Sequence, residues 1–236
     1  MGIGDDYNED LMTAMANSGD GNYYYIESPS QLPQIFATEL QGIMATLGER
    51  VSLGIKPMSG VKVVNVFNEL ETTTYDRYKL PNLIKGNKLE VGIRLKVPPQ
   101  SQESPLCQFR LAWNYPDLNE RQTIKETLIL PVLPSAHLSE LPINEEVSQL
   151  IALLLSARAK QEIVGNLDRG DYAAAKSLVD DARDVFMAVP SCNQISDDMT
   201  ALAQLESELE TGDYIKMRKR ASYQAYERSR KQDRNE

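Results

Sequence analysis

The hydrophobic period changes twice along the chain, and that change limits the folds open to it. Residues 1 to about 50 and 143–236 carry apolar side chains at helical spacing, whereas 51–134 carry them at every second position. In the middle stretch Val51, Leu53 and Ile55 alternate with other residues, as do Leu89 to Val97, Cys107 to Tyr115, and Leu128, Leu130 and Val132. A period of two sends one row of side chains to a core and the other to water. The intervening "IKGNK", "PPQSQESP" and "NYPDLNE" are rich in turn formers. Together these predict an antiparallel β-sandwich over 51–134. Cys107 lies in the inward row and reads as a buried, inert thiol.

The helical part from 143 contains an internal repeat. Asn144 is placed to cap a first helix whose Val147, Leu150, Ile151, Leu154, Ala157 and Val164 form a stripe. "LDRGDY" at 167–172 then recurs as "LETGDY" at 209–214. In each copy the glycine suits the left-handed end of one helix and the aspartate caps the next. Each copy is thus the turn of an αα-hairpin, and the two hairpins make a helical array in which neither buries its face alone.

The first 50 residues read as part of an α/β layer. Ile3 and Gly4 look like a strand end, Asp6-x-x-Glu9 like a capping box, and Leu11, Met12, Met15 and Ala16 like a short apolar helix face. "NYYYI" is an aromatic strand. A second helix follows, with Ser30 as its expected cap, Pro33 in its first turn, and Leu32, Ile35, Phe36, Leu40, Ile43, Met44 and Leu47 on one face. Two strands of a parallel sheet have open edges and little core. The second helix is therefore expected to pack against the sandwich or against another chain.

Charge separates the body from the tail. The net charge is −9, but Lys216 onward holds eight Lys or Arg against three Asp or Glu, so the preceding residues carry −14. The tail "KMRKRASYQAYERSRK" offers Lys216, Arg218, Lys219, Arg220, Arg228 and Arg230 as candidate contacts to a polyanion or a protein partner. The competing reading is a final helix whose cations complement the acidic body while Tyr223 and Tyr226 pack inward.

Signals of catalysis are sparse. Two cysteines without a Cys-x-x-Cys pattern suggest neither a disulfide framework nor a zinc site. His137, the only histidine, sits in the linker "LPSAHLSEL" without a nucleophile pattern. Asp5, Asp6, Glu9 and Asp10 read as acids at a helix N-terminus; cation-dependent hydrolysis there is the rival, to be tested by loss of divalent binding on Asp5→Ala and Asp6→Ala. No phosphate-binding glycine loop is present. These features predict no catalytic residue, no cofactor-binding residue and no metal ligand. Neither a membrane span nor an export signal is read, and a reducing, cytoplasmic setting is expected.

The run "GIGDDYNEDLMTAMANSGDGNYYYIESPSQLPQIFATEL" resembles the C-terminal end of a von Willebrand factor type A domain. The resemblance covers about the first 48 residues, and the following order of β-sandwich and helical hairpins is similar to a bacterial arrangement of that family. It implies a chain corresponding to the C-terminal portion of a longer protein, or to a shortened relative. The family binds a divalent cation through an Asp-x-Ser-x-Ser loop, a later Thr and an Asp. None of these positions is matched here; in "IESPS" at 26–30 the acid is displaced by one position. "GDYAAAKSLVDDA" also resembles part of a tetratricopeptide repeat, with Ala175, Leu178 and Ala182 at its small and apolar positions; the second copy departs from it at Met217.

The expected fold is multidomain α+β: an α/β type A-like remnant over 1–50, an antiparallel β-sandwich over 51–134, and a C-terminal αα-hairpin array over 143–236. The expected role is a non-enzymatic protein-interaction or scaffold module without the metal-ion-dependent adhesion motif. Its partner is a protein, with self-association through the N-terminal remnant as one route. Nucleic-acid or other polyanion binding through the basic last helix is the alternative.

Overall fold

The computed structural model describes every residue except Asp5, Asp20, Asp117, Asn119, Lys231, Gln232, Asn235 and Glu236. The three segments of the sequence pack as two compact units. Residues 1–41 join 145–231 in the first, and 42–144 with 232–236 form the second.

In the first unit, β1 (Gly2–Ile3) lies parallel to β2 (Tyr25–Ile26), with Gly2 opposite Tyr25. The connection is α1 (Glu9–Ser18), and its cap is Asn8, not Asp6. Asn8 stands immediately before the helix, where its Oδ1 accepts the Leu11 amide at 2.9 Å. Glu9, expected in a capping box, is instead buried. Before α2 (Leu32–Met44), Ser28 and not Ser30 closes a capping box with Gln31 around the 3₁₀ turn Pro29–Gln31. The proline occupies the first helical position, where a missing N–H leaves no bond unmade.

The rest of this unit is α3 (Glu145–Asp168), α4 (Tyr172–Met187), α5 (Asn193–Thr211) and α6 (Tyr214–Arg230). They enclose a core that includes Leu153, Ile163, Val179, Leu202, Leu205 and Met217. α3 is buried on more than one side, because it packs against α4 and α6 and touches α5. Its buried set therefore exceeds the single stripe read from the sequence: Leu154 and Ala157 are inside, but so are Leu153 and Ile163, while Val147 is exposed. Both repeat turns form as expected. Gly170 and Gly212 take φ of +72° and +76°, and Asp171 Oδ1 and Asp213 Oδ1 accept the amides of Ala174 and Lys216 at 3.0 and 3.3 Å. The two copies also meet: the rings of Tyr172 and Tyr214 stack at 3.9 Å between centroids and 10° between planes.

The second unit contains β3 (Thr46–Pro57), β4 (Lys62–Val66), β5 (Tyr78–Lys79), β6 (Leu83–Ile84), β7 (Asn87–Lys88), β8 (Ile93–Lys96), β9 (Pro105–Asn114), β10 (Arg121–Ile129) and β11 (Asp233–Arg234). The main sheet runs β10-β9-β3-β5, with β6 also paired to β3, all antiparallel. β4 pairs with β8, and β7 with β11. Alternation holds over most of the rows: Val51, Leu53, Ile55, Phe109, Leu111 and Trp113 share one cluster, joined by Ile93 of β8, while Val97 and Tyr115 at the row ends are exposed. Leu89 and Val91 pack there from outside any strand. β10 is the exception. As an edge strand it leaves Ile124 and Ile129 exposed, and Leu130 and Val132 beyond it are exposed too.

Candidate protein interface

The candidate cations of α6 diverge sharply in their surroundings. Arg218 faces three carboxylates. It pairs with Glu9, donates from Nη2 to Asp10 Oδ2 at 2.8 Å, and donates from Nε to Asp168 Oδ1 at 2.6 Å. The Asp168 bond above all holds the guanidinium's pKa far above its ordinary value and draws the Asp168 carboxyl below its own. Lys219 is buried and donates to Glu9 Oε2 at 2.9 Å and to the Tyr7 carbonyl at 2.7 Å, with its ammonium 3.9 Å from the centroid of the Tyr7 ring. Arg220 bridges Glu208 at 2.9 Å and Glu27 at 2.8 Å, and its Nη1 donates to Gln204. Burial raises the pKa of Glu208 despite that guanidinium. Lys216 and Arg228 are half-buried, and the side chain of Arg230 lies outside the described set.

Aromatic side chains complete the joint between α6 and the N-terminal segment. Tyr23 is buried, with Tyr223 and Tyr226 edge-on to it, each at 5.7 Å between centroids. The Tyr226 hydroxyl donates to the Gly21 carbonyl at 3.1 Å and accepts the Tyr23 amide at 3.3 Å. Tyr7 and Tyr23 share a hydroxyl hydrogen bond of 2.7 Å, and burial pushes the Tyr23 phenol up to about 12. Each well-placed aromatic pair adds about 1 kcal/mol beyond area burial. Three of the six cations of α6, with Tyr223 and Tyr226, thus hold residues 7–27 in place.

No protein-family model matches the chain, and no curated protein matches it. Solved structures do. The von Willebrand factor type A from Catenulispora acidiphila superposes with a TM-score of 0.62 at 17% identity, over 86% of this chain and 50% of that one. The ArnB paralog VWA2 from Sulfolobus acidocaldarius gives 0.50 at 18% identity, over 94% of this chain and 55% of that one. The fold is von Willebrand factor type A-like. The chain spans about half the length of these two type A structures.

That fold contains an incompletely covered apolar surface. On α2, Phe36, Leu40, Ile43 and Met44 are 53, 62, 71 and 89% exposed, and Leu11 and Met15 of α1 are exposed as well. These are the residues that the helical period assigned to an inward face. Several large apolar side chains exposed on one helix mark a place of contact. Among the described residues no group of three or more His, Cys, Asp or Glu is placed to hold a metal ion. Asp5 lies outside the described residues, and Asp6 is exposed. Burial raises the Cys107 thiol pKa, and His137 is exposed in a 3₁₀ turn. Among the described residues no helix is long and apolar enough to cross a membrane. Sequence periodicity found the apolar face; it did not find the ion cluster around Glu9, whose members have no shared period.

Proposed function

We propose that this chain is a non-enzymatic protein-interaction or scaffold module, the C-terminal portion of a bacterial, cytoplasmic protein of the von Willebrand factor type A kind. In this reading 51–134 is its β-sandwich and α3–α6 its two αα-hairpins. β1, α1, β2 and α2 belong to an α/β layer whose other strands and helices come from further residues of a longer polypeptide or from a second one. The observation that carries the reading is the exposed apolar face of α1 and α2 beside a parallel sheet of only two short strands. Burying four or five such side chains would contribute several kcal/mol, about 2 for each. The likeness in fold to longer type A structures supports it.

Polyanion binding through α6 is the weaker reading. Arg218, Lys219 and Arg220 would have to leave carboxylates of their own chain, and a buried ion pair broken on one side costs about 3–5 kcal/mol.

Hydrogen exchange of the 236-residue protein, compared with the protein isolated from its source together with its intact mass, tests the proposal. The expected result is fast exchange in α2 of the isolated chain and slow exchange in the native material, which is heavier or complexed. Equal protection of α2 in both preparations overturns it.

A further inference from the structure

The face of the main sheet opposite its apolar core carries a second group of cationic side chains, over the buried Ser52 and Ala112. Register fixes its members. Ser52, Gly54 and Lys56 of β3 lie on the face opposite the core residues Leu53 and Ile55. Gly54 stands opposite Arg110 of β9, which stands opposite Lys125 of β10, and Ala112 stands opposite Thr123. The carbon that Gly54 lacks would stand 3.7 Å from Cβ of Arg110 and 3.9 Å from Cγ of Arg77, so both arginines share this face. The floor is small and the rim is cationic.

These cations differ from those of α6 in making no ion pair among the described residues, although Glu49 and Glu126 stand on neighbouring register positions. Among the described residues no carboxylate pairs with Arg77, Arg110 or Arg121. Arg110 donates from Nη2 to Thr123 Oγ1 at 3.0 Å, but its Nη1 is buried with no acceptor among the described residues. Arg121 is clamped by Ser52 Oγ at 2.8 Å, Asn114 Oδ1 at 2.8 Å and the Arg50 carbonyl at 3.3 Å. Burial, and then repulsion from Arg110 and Arg77, lowers its pKa. Three guanidiniums held together without an ion-pair partner among the described residues favour an oxyanion, and the flexible stem of Arg110 lets one reach Nη1.

The sheet edge indicates how that oxyanion is presented. Among the described residues β10 pairs with β9 alone, so its other side has no strand partner there. Arg121 and Lys125 recur along β10 on the outer face, spaced by about 13 Å at the strand rise. Ile124 and Ile129 are exposed along the same strand. A strand laid beside β10 would set every second side chain next to the cations and the others next to Ile124 and Glu126. Cations on an edge repel the same edge of another copy, which blocks self-pairing, yet attract a strand of opposite charge. The acidic body of the chain weighs against a nucleic acid, whose charge extends over many phosphates and would meet the −14 of the first 215 residues.

We infer that the open edge of β10 binds, by strand addition, an extended segment of a protein partner with Asp or Glu at alternate positions, the carboxylates engaging Arg110, Arg121 and Lys125. Main-chain pairing supplies affinity and the alternating acids supply selection.

The test uses the full chain and a fluorescent peptide of alternating Glu and Val, with a Lys and Val peptide and an oligothymidylate as comparisons. The expected result is saturable binding of the Glu peptide alone, slowed amide exchange in β10, and a loss of about tenfold in affinity for each of Arg110→Gln and Lys125→Gln, with thermal stability unchanged for the exposed Lys125→Gln. No peptide binding, binding without protection of β10, or equal loss for Lys56→Gln alone overturns the inference. Tighter binding of the oligothymidylate, lost in the same variants, overturns it in favour of a nucleic acid. Concentration-dependent dimerisation lost in Lys125→Gln overturns it in favour of a second copy.

Discussion

At the scale of single residues, the buried charges decide more than the exposed ones. Lys160 is almost wholly buried, and its ammonium donates to Asp198 Oδ1 at 2.8 Å while Ser156 Oγ donates to Asp198 Oδ2 at 2.8 Å. Burial draws the lysine pKa below its ordinary value, opposed by Asp198. Removing one partner strands the other, so Lys160→Met lowers stability in urea by about 3–5 kcal/mol, and adding Asp198→Asn restores part of it. A double variant no better than the single one would show the charge is not the cause. Glu9 behaves differently with pH. Burial acts to raise its pKa, but hydrogen bonds from Lys219 and Arg218 prevail and hold it below the ordinary 4.5. A carboxyl depressed on folding contributes stability that is complete above that ordinary value and disappears as pH falls through the folded one. Glu9→Gln therefore destabilises at pH 7 by about 3 kcal/mol and flattens the loss of stability below pH about 4.5. An acid limb of unchanged steepness in the variant would refute this.

At the scale of elements, features fixed by a turn's own residues are legible in the sequence, and those that depend on distant partners are not. Both helix turns of the repeat follow from neighbouring residues, because a glycine end and an aspartate cap need nothing beyond the turn. A Cβ at Gly170 or Gly212 would meet nothing within 4 Å, so the only penalty of alanine there is the left-handed backbone. Gly170→Ala and Gly212→Ala each cost about 1 kcal/mol in thermal melts, and Asn at either site costs less; equal losses for Ala and Asn would point to another cause. The caps of α1 and of the turn before α2 were misplaced by two residues, since Asp6 and Asn8, or Ser28 and Ser30, offer similar chemistry and the chain direction chooses between them. β10 shows the limit of periodicity. Its alternation resembles that of β9, but β9 has two neighbours and β10 one, and the number of neighbours belongs to topology. The exposed face of α2 was legible as apolar; its covering element was not, because nothing in the helix itself names one. The cluster of Arg77, Arg110 and Arg121 was missed because its members lie far apart in sequence, on β9, on β10 and just before β5.

At the scale of the molecule, residues 1–41 and 145–231 belong to one unit, and contacts between them join residues more than 200 positions apart. Arg218 and Glu9 are separated by 209 positions, and Tyr226 and Gly21 by 205. Residues 131–144, wherever described, are exposed and form no strand or α-helix before α3, so a protease should cut there first. The cut leaves a fragment carrying 1–41 and another carrying α3–α6, the two halves of the first unit. Because the tyrosines around Tyr23 and the ion pairs of Glu9 are buried, raised salt screens them little. The nicked protein is therefore expected to elute as one species at neutral pH, even in high salt. Protonating Glu9 leaves Lys219 and Arg218 without its charge, so the fragments separate as pH falls below about 4.5. Separation at neutral pH would mean that 1–41 are not held by α6. Coelution at both pH values, with Tyr226→Phe or Tyr23→Ala releasing the fragments, would assign the joint to the aromatic cluster and leave the ion pairs a minor role.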